Sequence, residues 1–284
     1  MPAVNIITDT DSSIPPDIAD KLIIRQVPIN ILFGDEALRA VEDINDAQVF
    51  ERIDRGGEYP TTSAPSPGQF VQAYNDAFSA GAESVICYCV SSEVSATYNA
   101  ALQACNELED RDITVVDTRS LSLGQGFLAI AAAEAAQAGA GKEEILSLTA
   151  EMGERAYLFA ALSTLKYLAK SGRVPALQAS FGNLLNVKPI LTIKDGKLDL
   201  LERMRTRKKA WARVIELAAG TCREQPVERL AIIHINALND AQEFLEQLKG
   251  KIQVPEDVFF TELTPGLSIH GGSGLVGVCF ITGK

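Results

Sequence analysis

Short apolar runs alternate with stretches of helical periodicity along the whole chain. Ala3 to Thr8 reads as a strand and ends in a polar turn, Thr8-Asp9-Thr10-Asp11-Ser12-Ser13. Ile14-Pro15-Pro16 then opens a short helix, proline being favoured just inside a helix start. Ile23 to Phe33 and Glu36 to Ala40 read as strands around a tight Gly34-Asp35 turn. Asn45 to Arg55 predicts a helix broken by Gly56-Gly57, and a loop from Pro60 to Pro67 leads into a helix over Gly68 to Ala80. The continuous apolar run Ser84 to Val90 predicts a buried strand, Asn99 to Leu108 has helical spacing, and Asp112 to Asp117 is a further strand. Gly124-Gln125-Gly126 opens a long alanine-rich helix, Phe127 to Ala138. Strand, helix, strand, helix in this order predicts a parallel α/β half.

From about Lys142 the pattern changes. A helix (Lys142 to Met152) and an apolar strand (Ala156 to Leu162) lead to Leu165 to Val174. Val187 to Ile193 and Lys197 to Arg203 flank Asp195-Gly196, a strong hairpin signal, since Asp-Gly supplies the positive φ angles of a two-residue turn. A basic helix from Arg205 to about Ala219 follows. Strand, helix and strand (Glu228 to Ile235, Asn239 to Leu248, Asp257 to Leu263) then precede a glycine-rich loop, Pro265 to Gly274, and a last strand, Leu275 to Thr282. No Gly/Ser-rich linker separates the halves. The expected fold class is therefore α/β: two α/β lobes, 1–155 and 156–284, with mainly parallel sheets and a ligand buried between them.

Composition narrows the function. Of 284 residues, 46% are hydrophobic and 22% charged, a globular balance. The net charge of −11 disfavours nucleic acid as a partner. No apolar run approaches the roughly 18 residues that span a bilayer. The chain enters a strand without a charged n-region or cleavage site, so no signal peptide and a cytoplasmic location are expected. The five cysteines show no C-x-x-C and no histidine at zinc spacing, which predicts neither metal nor disulfide. Cys87 and Cys89 read as small core residues of a strand.

The candidate chemistry lies in the turns. Ser91-Ser92-Glu93-Val94-Ser95-Ala96-Thr97-Tyr98 joins a strand to a helix, where unpaired amides and the helix dipole favour an anion and hydroxyls add donors. The same hydroxyls also serve as helix caps. A second cluster, Pro60-Thr61-Thr62-Ser63-Ala64-Pro65-Ser66-Pro67, precedes another helix, and the two turns point to one shared site. Asp9 and Ser12 stand at the carboxyl end of the first strand, where ligands of open α/β sheets collect. Gly124-x-Gly126 lacks the third glycine and the distant acid of a dinucleotide fingerprint, and no phosphate loop is present, so no cofactor is expected. The enzyme alternative is a lipid ester or thioester hydrolase using Ser95 and His270, although no nucleophile-elbow pattern frames Ser95 or Ser273. His234 lies inside an apolar strand and reads as a core residue.

Taken in order, Thr8-Asp9 with Ser12-Ser13, the Pro60 to Pro67 cluster, Ser91-Ser92-x-x-Ser95-x-Thr97-Tyr98, Lys170-Ser-Gly-Arg173, Lys188-Pro189-Ile190 with Asp195-Gly196, Arg205-Thr-Arg-Lys-Lys209 and His270-Gly-Gly-Ser-Gly274 resemble the DegV family of bacterial fatty-acid-binding proteins over residues 3–282. The resemblance implies a two-lobed carrier that buries one long-chain fatty acid and has no turnover of its own. It further implies presentation of the carboxylate to an ATP-binding fatty-acid kinase subunit for phosphorylation, feeding phospholipid synthesis, with transient membrane contact allowed. Carried onto this chain, the carboxylate contacts are Thr62 and Ser95, with Arg173 and His270 beside them; Thr61, Ser63, Ser92, Thr97, Gly271 and Gly272 lie in the same motifs as secondary candidates. Two positions depart from the family pattern. Ala96 replaces a glycine and is expected to shift its turn slightly, and Gly272-Ser273 replaces Gly-Pro and is expected to loosen its loop.

The basic stretch Arg203 to Lys209 holds five cations in seven residues of an acidic chain. Cations at a helix start oppose the dipole, so the stretch reads either as a solvated helix start or as a partner surface in which Arg203, Arg205 and Arg207 dock an acidic face of the kinase subunit or steer its nucleotide phosphates.

Overall fold

The strand at the start of the chain, β1 (Val4–Asp9), is buried along its whole length. In this computed structural model, which describes residues 2–56, 59–174, 187–223 and 225–284, β1 lies inside a four-stranded parallel sheet. Its neighbours are β2 (Arg25–Val27) on one side and β6 (Ser84–Cys89), then β7 (Ile113–Asp117), on the other. The connecting helices are α1 (Pro16–Leu22), which begins on the expected proline, α3 (Pro67–Ser79) and α4 (Thr97–Asn106). Strand alternation divides β6 between two cores. Val85, Cys87 and Cys89 pack with Phe70, Tyr74 and Ala101 of α3 and α4, while Ile86, Tyr88 and Val90 face the opposite layer. The two cysteines thus occupy the core of the outer layer.

Between β2 and α3 the chain makes a small separate sheet. Strands β3 (Asn30–Phe33), β4 (Glu36–Arg39) and β5 (Thr61–Ser63) pair antiparallel in the order β4-β3-β5, with α2 (Asp46–Gly56) between β4 and β5. Gly57, expected to help end α2, lies outside the described residues. Strand β5 falls in the stretch expected as loop. Three residues between prolines carry no readable alternation, and only pairing with β3 makes them a strand.

The alanine-rich helix α5 (Leu123–Gln137) is buried on nearly all sides and is followed by α6 (Lys142–Glu154). It packs on β1 and β6 on one side and on the second sheet on the other, so one helical layer serves both sheets. Small residues permit this approach: a Cβ at Gly126 would stand 2.6 Å from the Ser12 carbonyl oxygen. The Gly124-x-Gly126 pattern therefore serves close packing.

The second sheet comprises β8 (Ala156–Ala161), β9 (Lys188–Lys194), β10 (Lys197–Met204), β11 (Val227–His234), β12 (Val258–Glu262) and β13 (Val276–Thr282), in the order β10-β9-β8-β13-β11-β12. Helices α7 (Lys166–Ser171), α8 (Arg207–Thr221), α9 (Leu238–Lys249) and α10 (Pro265–Gly271) complete the lobe, with α8 and α9 covering the outer face. Lys194 pairs with Lys197 across the expected two-residue turn, with φ 51° at Asp195 and 81° at Gly196.

The expectation of mainly parallel sheets holds for the four-stranded sheet of the first lobe and needs correction for the small antiparallel sheet beside it and for the second lobe, where β11 and β12 form the sole parallel pair among the described strands. In the second lobe helix length accounts for the difference. A parallel return needs a connection that spans a strand, and α9, at 12 residues, extends about 18 Å between β11 and β12. With seven residues α10 spans about 10 Å, too short to carry the chain back along β12. The chain re-enters the sheet from the end it left, and β13 runs antiparallel to both neighbours. Among the described residues no helix is long and apolar enough to cross a membrane.

Candidate ligand-binding site

A cavity of about 380 Å³ lies where the ends of the first sheet, the small sheet and the inner face of the second sheet meet. Its size falls within the range of small-molecule sites, roughly 300–1,000 Å³. Leu158, Ala160, Leu191, Leu198 and Ile233 form an apolar wall. Leu158 and Ala160 alternate along β8 with Phe159 and Ala161, which face α8 and α9, so strand pleating alone turns the apolar pair towards the cavity.

Polar groups reach the cavity from three separate elements. Thr62 is the middle residue of β5, held opposite Ile31 by antiparallel pairing. Arg173 follows α7, whose end is set by Gly172 at φ 71°, a left-handed cap that turns the chain sharply. His270 lies in the last turn of α10. Arg173 Nη2 donates to Thr62 Oγ1 at 3.1 Å, and His270 Nε2 lies 3.1 Å from the same oxygen. Arg173 Nη1 donates to the Ser171 carbonyl at 3.1 Å. Burial, then the nearby Arg173 charge, pushes the His270 imidazole down to about 3. The ring is therefore neutral near neutral pH, with Nδ1 buried and without a partner among the described residues. Arg173 is the one cation among the described residues lining the cavity, and burial draws its guanidinium below its usual value.

Ser95 also lines the cavity, but its hydroxyl bonds locally. Its Oγ lies 2.8 Å from Thr97 Oγ1 and accepts from the Thr97 amide at 3.3 Å. The turn accommodates Ala96 at φ −78°, ψ 1°, an ordinary conformation for an L-residue that needs no glycine. His270 bonds to Thr62 and Ser95 to Thr97, so no Ser–His pair is assembled, and an imidazole held near 3 is a weak general base at neutral pH.

The remaining sequence candidates divide by position. Ser63 and Gly271 line the cavity; Thr97 is buried behind Ser95. Asp9 and Ser12 lie outside it: Asp9 gathers the Val90 amide, the Asp11 amide and Gln125 Nε2, and Ser12 donates to Gln26 Oε1 at 3.2 Å. Thr61 is exposed, and Ser92 is exposed and bonded to Asp117. Gly272 has φ 77°, and a side chain there would collide with the ring of Tyr167. Tyr167 in turn stacks on Tyr59 at 5.5 Å, and the Tyr59 hydroxyl donates to the Ile269 carbonyl, fixing α10 against α7. Arg207 pairs with Asp240 and lies over the Trp211 ring, whereas Arg203 and Arg205 are exposed. Sequence reasoning named none of the apolar lining and missed Asp11 and Gly266, which line the cavity and meet face to face. Asp11 stood in a polar turn whose other members offered equally good chemistry, and nothing local singled it out.

Among the described residues no group of three metal-ligating side chains is present. Two α/β lobes sharing a helical layer, with an apolar cavity headed by hydroxyls, a neutral imidazole and one guanidinium, define a two-lobed binding protein for a ligand with an apolar body and a polar head. A family model described as "Uncharacterised protein, DegV family" matches residues 3–283, and the chain belongs to the DegV family. A DegV domain-containing protein of Streptomyces coelicolor is 33% identical over 277 residues, 97% of each chain. Among solved structures, one described as fatty acid binding of a DegV family protein from Thermus thermophilus matches with a TM-score of 0.91 and 28% identity, covering 99% of this chain and 100% of that one. DegV from Bacillus subtilis, described as a fatty acid binding protein, matches with a TM-score of 0.87 and 29% identity over 100% of both chains.

Proposed function

We propose that this protein is a fatty-acid carrier: one long-chain acid lies in the cavity between lobes 1–155 and 156–284, its carboxylate held by Thr62, Ser95, Arg173 and His270. The observation that carries this reading is the Thr62–Arg173–His270 cluster at an otherwise apolar cavity. Burying roughly a dozen methylenes at about 0.8 kcal/mol each contributes on the order of 10 kcal/mol before ordering costs, so the head group needs only a few donors. The fatty-acid-binding DegV relatives of similar sequence support the same ligand class. The protein acts in the cytoplasm as a carrier without turnover, collecting the acid in transient contact with a membrane.

The carrier then presents the carboxylate to an ATP-binding kinase subunit, which phosphorylates it for phospholipid synthesis. Arg203 and Arg205 are the docking cations of this proposal, with Arg207 anchored by Asp240 and Trp211 as a support. Mass spectrometry of lipid extracted from purified protein tests the carrier reading: about one long-chain acid per chain is expected, and a protein that neither carries nor takes up such an acid would sink it. Charge reversal of Arg203 and Arg205 to Glu is expected to spare acid binding and to reduce kinase-dependent acyl phosphate formation. Undiminished phosphorylation would remove these residues from the interface.

A further inference from the structure

Asp11 lies in the 3-10 turn after β1, against α10, and lines the cavity. Its situation differs from that of Asp9, two residues earlier. Asp9 accepts hydrogen bonds from the Val90 amide at 2.8 Å, the Asp11 amide at 2.9 Å and Gln125 Nε2 at 3.1 Å. Among the described residues, nothing donates to the Asp11 carboxyl. The residue is 6% exposed, and its Oδ1 is buried against Gly266, where any Cβ would collide with it, without a partner among the described residues. No ion pair joins it to Arg173, whose guanidinium is committed to Thr62 and Ser171. Among the described residues the charged or titratable groups facing Asp11 are Asp9 on its own turn, Arg173 after α7 and the neutral His270 on α10; the first turn of α5 presents none.

A carboxylate without donors in an apolar cavity is costly, so the neutral acid is favoured there. Burial first, then the charge of Asp9, raises Asp11 well above the usual carboxylate range, and Arg173 opposes this. We propose that Asp11 is a further head-group residue of this site, and that it shares one proton with the carboxylate of the bound acid: the proton Asp11 already holds below its free-protein midpoint, or one that enters with the acid above it. The proposal rests on the fatty-acid reading above. Arg173 supplies one positive charge, and two carboxylates beside it would leave a net negative charge buried. One of the pair therefore holds a proton, already on Asp11 below its free-protein midpoint, and taken from solvent on binding and returned on release above it. The protonated partner donates its O–H to the other, filling the hydrogen bond that Asp11 lacks in the free protein.

The test uses laurate, below the concentration at which it forms micelles, titrated into the full chain from about pH 5 to about pH 9. Above the Asp11 midpoint of the free protein, the Kd of the native chain is expected to rise about tenfold per pH unit, and the slope is expected to vanish in Asp11→Asn. Calorimetry of the native protein in two buffers of different ionisation enthalpy is expected to show about one proton taken up per laurate over the same range, a readout independent of whether the variant folds. Laurate bound by both proteins with one common pH profile and no proton uptake overturns the role of Asp11 while leaving the carrier reading intact. Laurate bound by neither protein at any pH overturns both.

Discussion

The Thr62 hydroxyl is bonded to Arg173 and His270, 111 and 208 positions away in the chain, whereas the Ser95 hydroxyl is bonded to Thr97, two positions along. Both residues come from stretches rich in Ser, Thr and Ala, Thr62 in strand β5 and Ser95 in a turn, and both line the cavity. What separates them is the partner set. Thr62 joins three elements that nothing but the tertiary fold brings together, while Ser95 organises the start of its own helix and presents its edge to the cavity. Hydroxyl composition at a strand-to-helix turn therefore marks where donors gather, and long-range partners mark where a site is built.

The largest effect expected on the Thr62 side comes from its histidine. His270 is held at about 3 in the folded protein against an ordinary value of 6.5, so the unfolded chain binds more protons between these limits. Its contribution to stability is complete above about pH 6.5 and is lost as pH falls towards 3, by several kcal/mol at order of magnitude. Urea unfolding of the native protein and of His270→Gln at pH 7 and pH 4 is expected to show a much larger loss on acidification in the native chain. Asp46, which burial raises to about 7, acts in the opposite sense and is common to both proteins. Equal losses would separate the histidine from the acid sensitivity.

A smaller effect is expected from Thr62→Val, which keeps the β-branched shape of an edge strand and removes the hydroxyl. Laurate affinity should fall about ten- to hundredfold, corresponding to about 1.5–3 kcal/mol for a hydrogen bond to a charged group. Unchanged affinity would remove Thr62 from the head-group contacts. The smallest belongs to Ser95→Ala: about 1 kcal/mol of stability, as for a lost helix cap, with affinity changed less than in Thr62→Val. Losses of affinity equal in the two variants would erase the distinction between the turns.

Much of the secondary structure was legible in the chain. Apolar runs marked β1, β6, β8 and β13, and Asp195-Gly196 fixed a hairpin whose register follows from its turn. Strand β5 was not legible, because three residues are too few for periodicity and their pairing partner lies 31 residues away, Thr62 opposite Ile31. Within the site, the hydroxyls, Arg173 and His270 could be named from their motifs, whereas Asp11 could not. Its chemistry depends on a missing hydrogen bond, and the absence of a partner is a property of the folded surroundings.

Local patterning by itself determined the alternation of elements, the two lobes' α/β character, the small residues of α5 and the polar turns, since each depends on interactions within a few residues or one turn. The tertiary structure decided the direction of β13, the burial of α5 between two sheets and the meeting of Thr62, Arg173, His270 and Asp11. These depend on helix lengths set against strand lengths and on which apolar faces cover one another. The polar lining drawn from β5, the chain after α7, α10 and the turn after β1 comes together only when both sheets close on the shared helical layer, because no one segment carries more than one of its four side chains.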